Sequence, residues 1–172
     1  PYSATKKGAE VLCYSYHYLY NLDISIVRYF TVYGPGGRPD MSIFKFIKNI
    51  DVGVPIPVFG DGNQTRDFTY IDDIADGTIR ALKPAGYEII NLGSDHPVKL
   101  NYVIKLLEKN LGKKAKIKTL PMHPADVKAS WAHIEKAKKL LGWSPKTSIE
   151  QGVRNTVRWF FENKKFLKWE TK

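Results

Sequence analysis

A run of twelve residues, DISIVRYFTVYG from Asp23 to Gly34, constrains this chain more than any other. It is rich in β-branched and aromatic residues and its apolar positions are nearly continuous, the pattern of a strand covered on both faces in a parallel sheet. GPGGRPD, from Gly34 to Asp40, holds three glycines and two prolines and reads as a loop. Loops that leave the C-terminal end of a parallel strand are where open α/β sheets bind ligands. One stretch therefore sets a fold class and says where a site should open.

The flanking sequence agrees. Residues 3–20 read as a helix, with Ala4, Gly8, Val11, Leu12, Tyr16 and Leu19 on one stripe. Its tyrosines at 14, 16, 18 and 20 exceed what one buried stripe needs, which suggests packing on two sides and a possible subunit interface. Met41–Val52 reads as a second amphipathic helix, and PIPVF as a short strand ending at Phe59, followed by a Gly-Asp-Gly turn and a polar run. Asp72 and Asp73 stand at the entry of a helix continuing through Ala75, Ile79 and Leu82, where negative charge suits the macrodipole. Beyond it the pattern gives a strand at Tyr87–Leu92, a helix at Lys99–Leu111 and a short exposed strand in KAKIKTL. Helices at Ala132–Leu141 and Ser148–Asn163 complete the chain. Strands alternating with helices make it α/β, without an internal repeat. GPGGRP does not match the Gly-rich dinucleotide fingerprint, nor does it sit between a strand and a helix as that motif requires.

At 172 residues, 43% hydrophobic and 13% aromatic, the chain suits one domain with a real core. No apolar run approaches a membrane span and no signal peptide opens the sequence, so no membrane partner is expected. The single cysteine, Cys13, argues against a disulfide framework and for the cytoplasm; among Val11, Leu12 and Tyr16 it reads as a structural thiol. The net charge of +10 is spread out, with clusters at 113–118, 136–139 and 164–168. Without a nucleic-acid-binding motif it implies no nucleic acid and fits attraction of a small polyanion equally well. His17, His96, His123 and His133 lack metal-ligand spacing, so no metal site is expected.

Tyr2 and Lys6 stand four residues apart in the opening helix and so share a face. A neighbouring ammonium favours phenolate over phenol, which moves a tyrosine toward work as a general base. The spacing alone also fits an ordinary exposed helix start.

YSATK, VRYFTVYGPGGRPDM, FGDGNQTRDFTYIDDIADG, NLGS and LGWSPKTSIEQGV, in that order, resemble the extended short-chain dehydrogenase/reductase family, and within it the nucleotide-sugar epimerases of the glucuronate type. The likeness runs over essentially the whole chain. It implies the C-terminal part of such a protein, a partial Rossmann sheet with a small α/β substrate-binding domain. Residues 1–33 and 67–94 would be the remnant of the NAD-binding domain, and 34–66 with 95–172 the part that holds the nucleotide sugar. The opening on Pro1 fits that expectation, and no turnover is expected from the chain on its own. The implied reaction is NAD-dependent epimerisation at C4 of a UDP-sugar, UDP-glucuronate to UDP-galacturonate, through a 4-keto intermediate. Decarboxylation or dehydration by the same 4-keto route, or binding without turnover, are the alternatives.

By the same resemblance Tyr2 would take the proton from the 4-hydroxyl, Lys6 would assist it and hold the nicotinamide ribose, and Tyr29 would lie near the nicotinamide. Phe30 and Thr31 match positions along the sugar and diphosphate. Phe59 would pack on the uracil, Arg66 would pair with the diphosphate, and Asp126 would accept ribose hydroxyls. Arg38 would hold the sugar carboxylate and restrain loss of carbon dioxide from a β-keto acid. A homodimer formed through the first helix is implied as well. Plainer readings stand beside these: Phe59 as core, Arg66 and Asp67 as a surface pair, Asp126 as a cap. Trp131 and His133 depart from the family's usual threonine-x-alanine-aspartate pattern.

Overall fold

In the computed structural model, which describes residues 1–122 and 126–167, helix α1 (Tyr2–Tyr20) leads into strands β1 (Ile24–Tyr29) and β2 (Thr31–Tyr33). Helix α2 (Ser42–Val52) follows, then β3 (Ile56–Phe59), β4 (Thr65–Arg66), β5 (Phe68–Tyr70) and α3 (Ile71–Arg80). Strands β6 (Tyr87–Leu92) and β7 (Val98–Lys99) precede α4 (Leu100–Leu111), β8 (Ile117–Leu120), α5 (Glu135–Leu141) and α6 (Ile149–Asn163). A short 3-10 turn spans Lys164–Phe166. The α/β reading of the sequence holds.

The long apolar run is two strands, and it changes partners at Phe30. β1 pairs in parallel with β6, from Ile24 opposite Tyr87 to Tyr29 opposite Leu92. β2 pairs in parallel with β5, Thr31 lying opposite Phe68. At the changeover the Phe30 N–H still reaches Leu92 O at 3.4 Å, and the Thr31 N–H turns to Asp67 O at 2.9 Å. β3 pairs in parallel with β8, and β4 in antiparallel fashion with β7.

Two cores flank the changeover. One gathers Ile43, Phe44 and Ile47 of α2, Val103 and Leu107 of α4, and Val153 and Phe160 of α6 around Tyr33 and Phe68. The other gathers Ile74, Ile90, Leu92, Ala132, Ile134, Ala137 and Trp143, with Val27, Phe30 and Val32 packed against it. Helix α6 approaches β2 so closely that a β-carbon on Gly152 would lie 2.0 Å from the Tyr33 hydroxyl. Glycine is required there for its size.

One carboxylate ties these pieces together. Asp67 is fully buried. It accepts backbone N–H bonds from Ser94 (2.6 Å), Asp95 (3.0 Å) and Ala132 (2.9 Å), and the Thr69 hydroxyl at 3.1 Å. Gly93 makes room for this, since a β-carbon on it would meet the Ala132 methyl at 2.3 Å and Asp67 Oδ2 at 3.0 Å. Asp67 is thus no member of a surface pair. Asp73, in the first turn of α3, is also buried and accepts from the Lys146 and Thr147 N–H groups at 3.1 and 3.0 Å, so it does more than complement a dipole.

Three features differ from the sequence reading. Strands β4 and β5 lie in and just after the expected polar run, and β7 takes in Lys99, expected to open a helix, because elements of two or three residues leave no period to detect. Helix α5 starts at Glu135, three residues later than expected, because the backbone before it runs beside β4: Thr65 N–H to Lys128 O at 3.0 Å, Ser130 N–H to Thr65 O at 3.3 Å. The expected apolar stripe of α1 faces outward, with Val11, Leu12, Tyr16 and Leu19 exposed and Glu10 the one buried residue of that helix.

Replacing Asp67 by alanine would leave three buried N–H groups without an acceptor, at about 1–3 kcal/mol each. Asp67→Ala is expected to lower unfolding free energy by about 3 kcal/mol or more, read as a shift of the urea midpoint, whereas exposed Asp126→Ala should change it by less than about 1 kcal/mol.

Candidate active site at the end of strands β1 and β2

A cleft of about 850 Å³ opens beside the first turns of α1, over the β1–β2 run, the Gly34–Arg38 loop and the start of α2. Six of the residues singled out in the sequence line it: Tyr2, Lys6, Tyr29, Phe30, Thr31 and Arg38. Helical spacing places Tyr2 and Lys6 together, with the Lys6 ammonium 5.5 Å from the centroid of the Tyr2 ring. Tyr2 is 75% exposed, so its phenol is open to the cleft and to solvent.

The same helical face continues to Glu10, which fastens α1 to the strand. Glu10 takes a bidentate grip from Arg28, Nε to Oε1 and Nη2 to Oε2, both at 2.6 Å, and a third bond from Lys7 at 2.9 Å. These bonds, Arg28 first and Lys7 second, hold its carboxyl at about 2, well below the ordinary 4.5. The Glu10 carbonyl accepts from the Tyr87 hydroxyl at 2.8 Å, and the Tyr14 and Tyr87 rings meet edge to face at 5.1 Å. Helix α1 is therefore docked through polar and aromatic contacts to β1 and β6. Tyr29 is oriented in turn: Thr78 donates to Ile74 O at 2.7 Å, which leaves its oxygen to accept the Tyr29 hydroxyl at 3.0 Å.

Glycines shape the loop that carries Arg38. Gly34 has φ +147°, and a β-carbon there would come within 2.4 Å of the Ile71 side chain. The Met41 N–H bonds Arg38 O at 3.1 Å, closing a turn with Pro39 at its second position, where a fixed φ suits it. Within that turn Arg38 grips Asp40, Nε to Oδ1 at 3.1 Å and Nη2 to Oδ2 at 2.6 Å.

Phe59, Arg66 and Asp126 lie outside this lining. Arg66 Nη2 meets Asp126 Oδ1 at 2.6 Å, the arginine largely covered and the aspartate more open. Phe59, at the end of β3, is 45% exposed and so is not a core residue. Glu10, Arg28, Asp40, Asp67 and Thr78 were not recognised in sequence as parts of the site. Only Glu10 left a usable sign, the i, i+4, i+8 continuation of Tyr2 and Lys6. Among the described residues no cluster of three or more His, Cys, Asp or Glu could hold a metal ion.

The description "GDP-mannose 4,6 dehydratase" belongs to the family model that matches residues 1–156. The chain belongs to that family, within the extended short-chain dehydrogenase/reductases. A UDP-glucuronate 4-epimerase of Thermodesulfobacterium geofontis is 64% identical over 169 residues, 98% of this chain and 52% of that protein. The crystal structure of UDP-glucuronic acid 4-epimerase from Bacillus cereus, in complex with UDP-glucuronic acid and NAD, superposes with a TM-score of 0.89 at 42% identity, covering 94% of this chain and 52% of that one. A UDP-glucose 4-epimerase of Thermotoga maritima, solved with UDP-glucose, gives 0.90 at 31% identity, covering 95% and 54%. The chain spans about half the length of the relatives it matches.

The Glu10 clamp has a pH signature. A carboxyl held near 2 in the folded chain and near 4.5 when unfolded contributes stability above about pH 4.5, which is lost as pH falls through about 2. Near-ultraviolet dichroism of the tyrosines, followed from pH 5 to 2, should therefore show α1 loosening, and Glu10→Gln should remove that transition and leave α1 loosened already at pH 7.

Proposed function

We propose that this chain carries the substrate half-site of an NAD-dependent UDP-glucuronate 4-epimerase. The observation that carries the reading is the single cleft in which Tyr2, Lys6, Tyr29, Phe30, Thr31 and Arg38 converge, in a chain 64% identical to an enzyme of that name. Under this reading residues 1–33 and 67–94 belong with the nucleotide-binding sheet and 34–66 with 95–172 hold the sugar nucleotide. The two cores join these parts instead of separating them: Tyr33, Phe68 and Tyr70 pack with the second part, and Ala132–Trp143 with the first.

The residues present fit the nicotinamide end of NAD: a phenol, an ammonium and a second tyrosine line one wall of a cleft large enough for a ring and a ribose. When bound, the nicotinamide supplies the redox step at C4, taking the sugar to its 4-keto form and back. Tyr2 holds the proton of the 4-hydroxyl during that step and returns it afterwards. Lys6, on the same face, stabilises the charge this places on the phenol and hydrogen-bonds the ribose. Tyr29, held by Thr78, borders the nicotinamide.

Phe30 and Thr31 line the sugar, and Arg38 binds its carboxylate, which restrains decarboxylation of the 4-keto acid. At the other end Arg66 binds the diphosphate, Asp126 the ribose hydroxyls and Phe59 the uracil. The Arg66–Asp126 pair supports this, because it already holds both side chains in one place. The exposed apolar face of α1 supports self-association, so the working form is read as a homodimer, and the single, free cysteine supports the cytoplasm.

Calorimetric titration tests the reading. UDP-glucuronate is expected to bind more tightly than UDP-glucose, Arg38→Ala to erase that preference, and Arg66→Ala to weaken both by about tenfold or more, the scale of a charge-assisted bond. Equal binding of both sugars by the unaltered chain would defeat it. In an assembly competent for turnover, Tyr2→Phe is expected to lower the rate by about 10²–10⁴, with UDP-galacturonate as product; a pentose product would favour the decarboxylase instead. Leu12→Glu with Leu19→Glu should reduce the sedimentation mass if α1 forms the dimer.

A further inference from the structure

The guanidinium of Arg38 is already occupied by a carboxylate. Asp40 takes its Nε and Nη2 in the paired geometry that a carboxylate ligand would use. Arg38 lines the cleft, together with Met41 and Ser42 that follow it, but Asp40 does not. The aspartate therefore draws the fork toward the rim. The turn makes this encounter unavoidable: the Met41 N–H to Arg38 O bond and Pro39 between the two residues hold them side by side. Both side chains are exposed, 75% for Arg38 and 64% for Asp40, so the pair is the kind whose exchange costs little. A ligand carboxylate presented from inside the cleft meets a partner that is correctly shaped and weakly held.

We propose that Asp40 is a specificity-determining residue that stands in for the sugar carboxylate on Arg38 and is displaced by it. This rests on the reading of Arg38 as the carboxylate contact. The internal pair has two consequences. Without a uronate, the cationic fork stays neutralised by Asp40. With a uronate, one bidentate pair replaces another, and the gain in affinity is the difference between them, not the full strength of the new contact. Asp40 thus keeps the fork paired in a carboxylate-binding geometry at the cost of some affinity for the uronate.

A double-mutant cycle tests it, with Arg38→Ala, Asp40→Asn and the combination titrated against UDP-glucuronate and UDP-glucose. Asp40→Asn keeps the size of the side chain and removes its charge. It is expected to tighten UDP-glucuronate roughly threefold to fivefold, the span an exposed pair commands, and to leave UDP-glucose within about twofold. In the Arg38→Ala background the same change should have no effect on the ratio of the two. An equal tightening of both ligands would mean a general field effect and overturn the proposal. Weaker binding of UDP-glucuronate by Asp40→Asn would also overturn it, by making Asp40 a support that aims Arg38. Loss of preference in Arg38→Ala with no change in Asp40→Asn would leave the functional reading standing and this inference refuted. Absence of binding by all variants would refute both.

Discussion

The fold turns on a buried carboxylate. Asp67 stands where β1 hands over to β2 and where β4 ends and β5 begins, with its carbonyl accepting from Thr31. Its side chain satisfies three N–H groups from two distant segments, the Ser94–Asp95 turn and Ala132. An isolated charge buried this deeply would be costly, and only several donors arriving together make it tolerable. The consequence is geometric. Thr31 in the cleft, Arg66 one residue before Asp67, and the segment that runs from Asp126 to Ala132 are all referred to one point.

Away from that point the attachment changes character. Helix α1 carries Tyr2 and Lys6, yet it buries one residue, Glu10, and is fastened by Arg28, Tyr87 and edge-on tyrosine contacts. Polar fastening of this kind fixes orientation better than it supplies stability, since a bidentate guanidinium pair is directional while apolar burial is not. It suits a helix whose side chains Tyr2 and Lys6 line one cleft. The surrounding apolar surface, Val11, Leu12, Tyr18 and Leu19, remains open to other contacts.

The sequence made the long elements legible because each repeats its signal several times over. Helices α2, α4 and α6 fell within a residue or so of their expected bounds, and β6 matched. What it hid were features with no period. The partner change at Phe30 leaves no mark in the run, because β-branched and aromatic residues continue from β1 into β2. The strands β4 and β7 span two residues each. The stripe on α1 misled because hydrophobic periodicity marks a face that wants cover without saying where the cover comes from. In the candidate site, the residues proposed to meet ligands were legible through the family resemblance, while those that hold them, Glu10, Arg28, Asp67 and Thr78, were not. Their partners are 18 to 77 residues away in sequence, apart from the local Glu10–Lys7, Asp67–Thr69 and Thr78–Ile74 contacts.

The site is consequently built in two mechanically different halves. Arg66 and Asp126 sit on backbone tied directly to Asp67, where displacing one segment disturbs a buried network. Tyr2 and Lys6 sit on a peripheral helix held through Glu10, and Arg38 on a glycine-rich turn where adjustment disturbs an exposed pair. A nucleotide is the same in every round of catalysis and gains from a rigid seat. A sugar whose C4 must present first one face and then the other needs walls that yield. Under the proposed function, the exposed, exchangeable contacts would stand at the sugar end and the buried network at the nucleotide end, which would meet both demands with one fold.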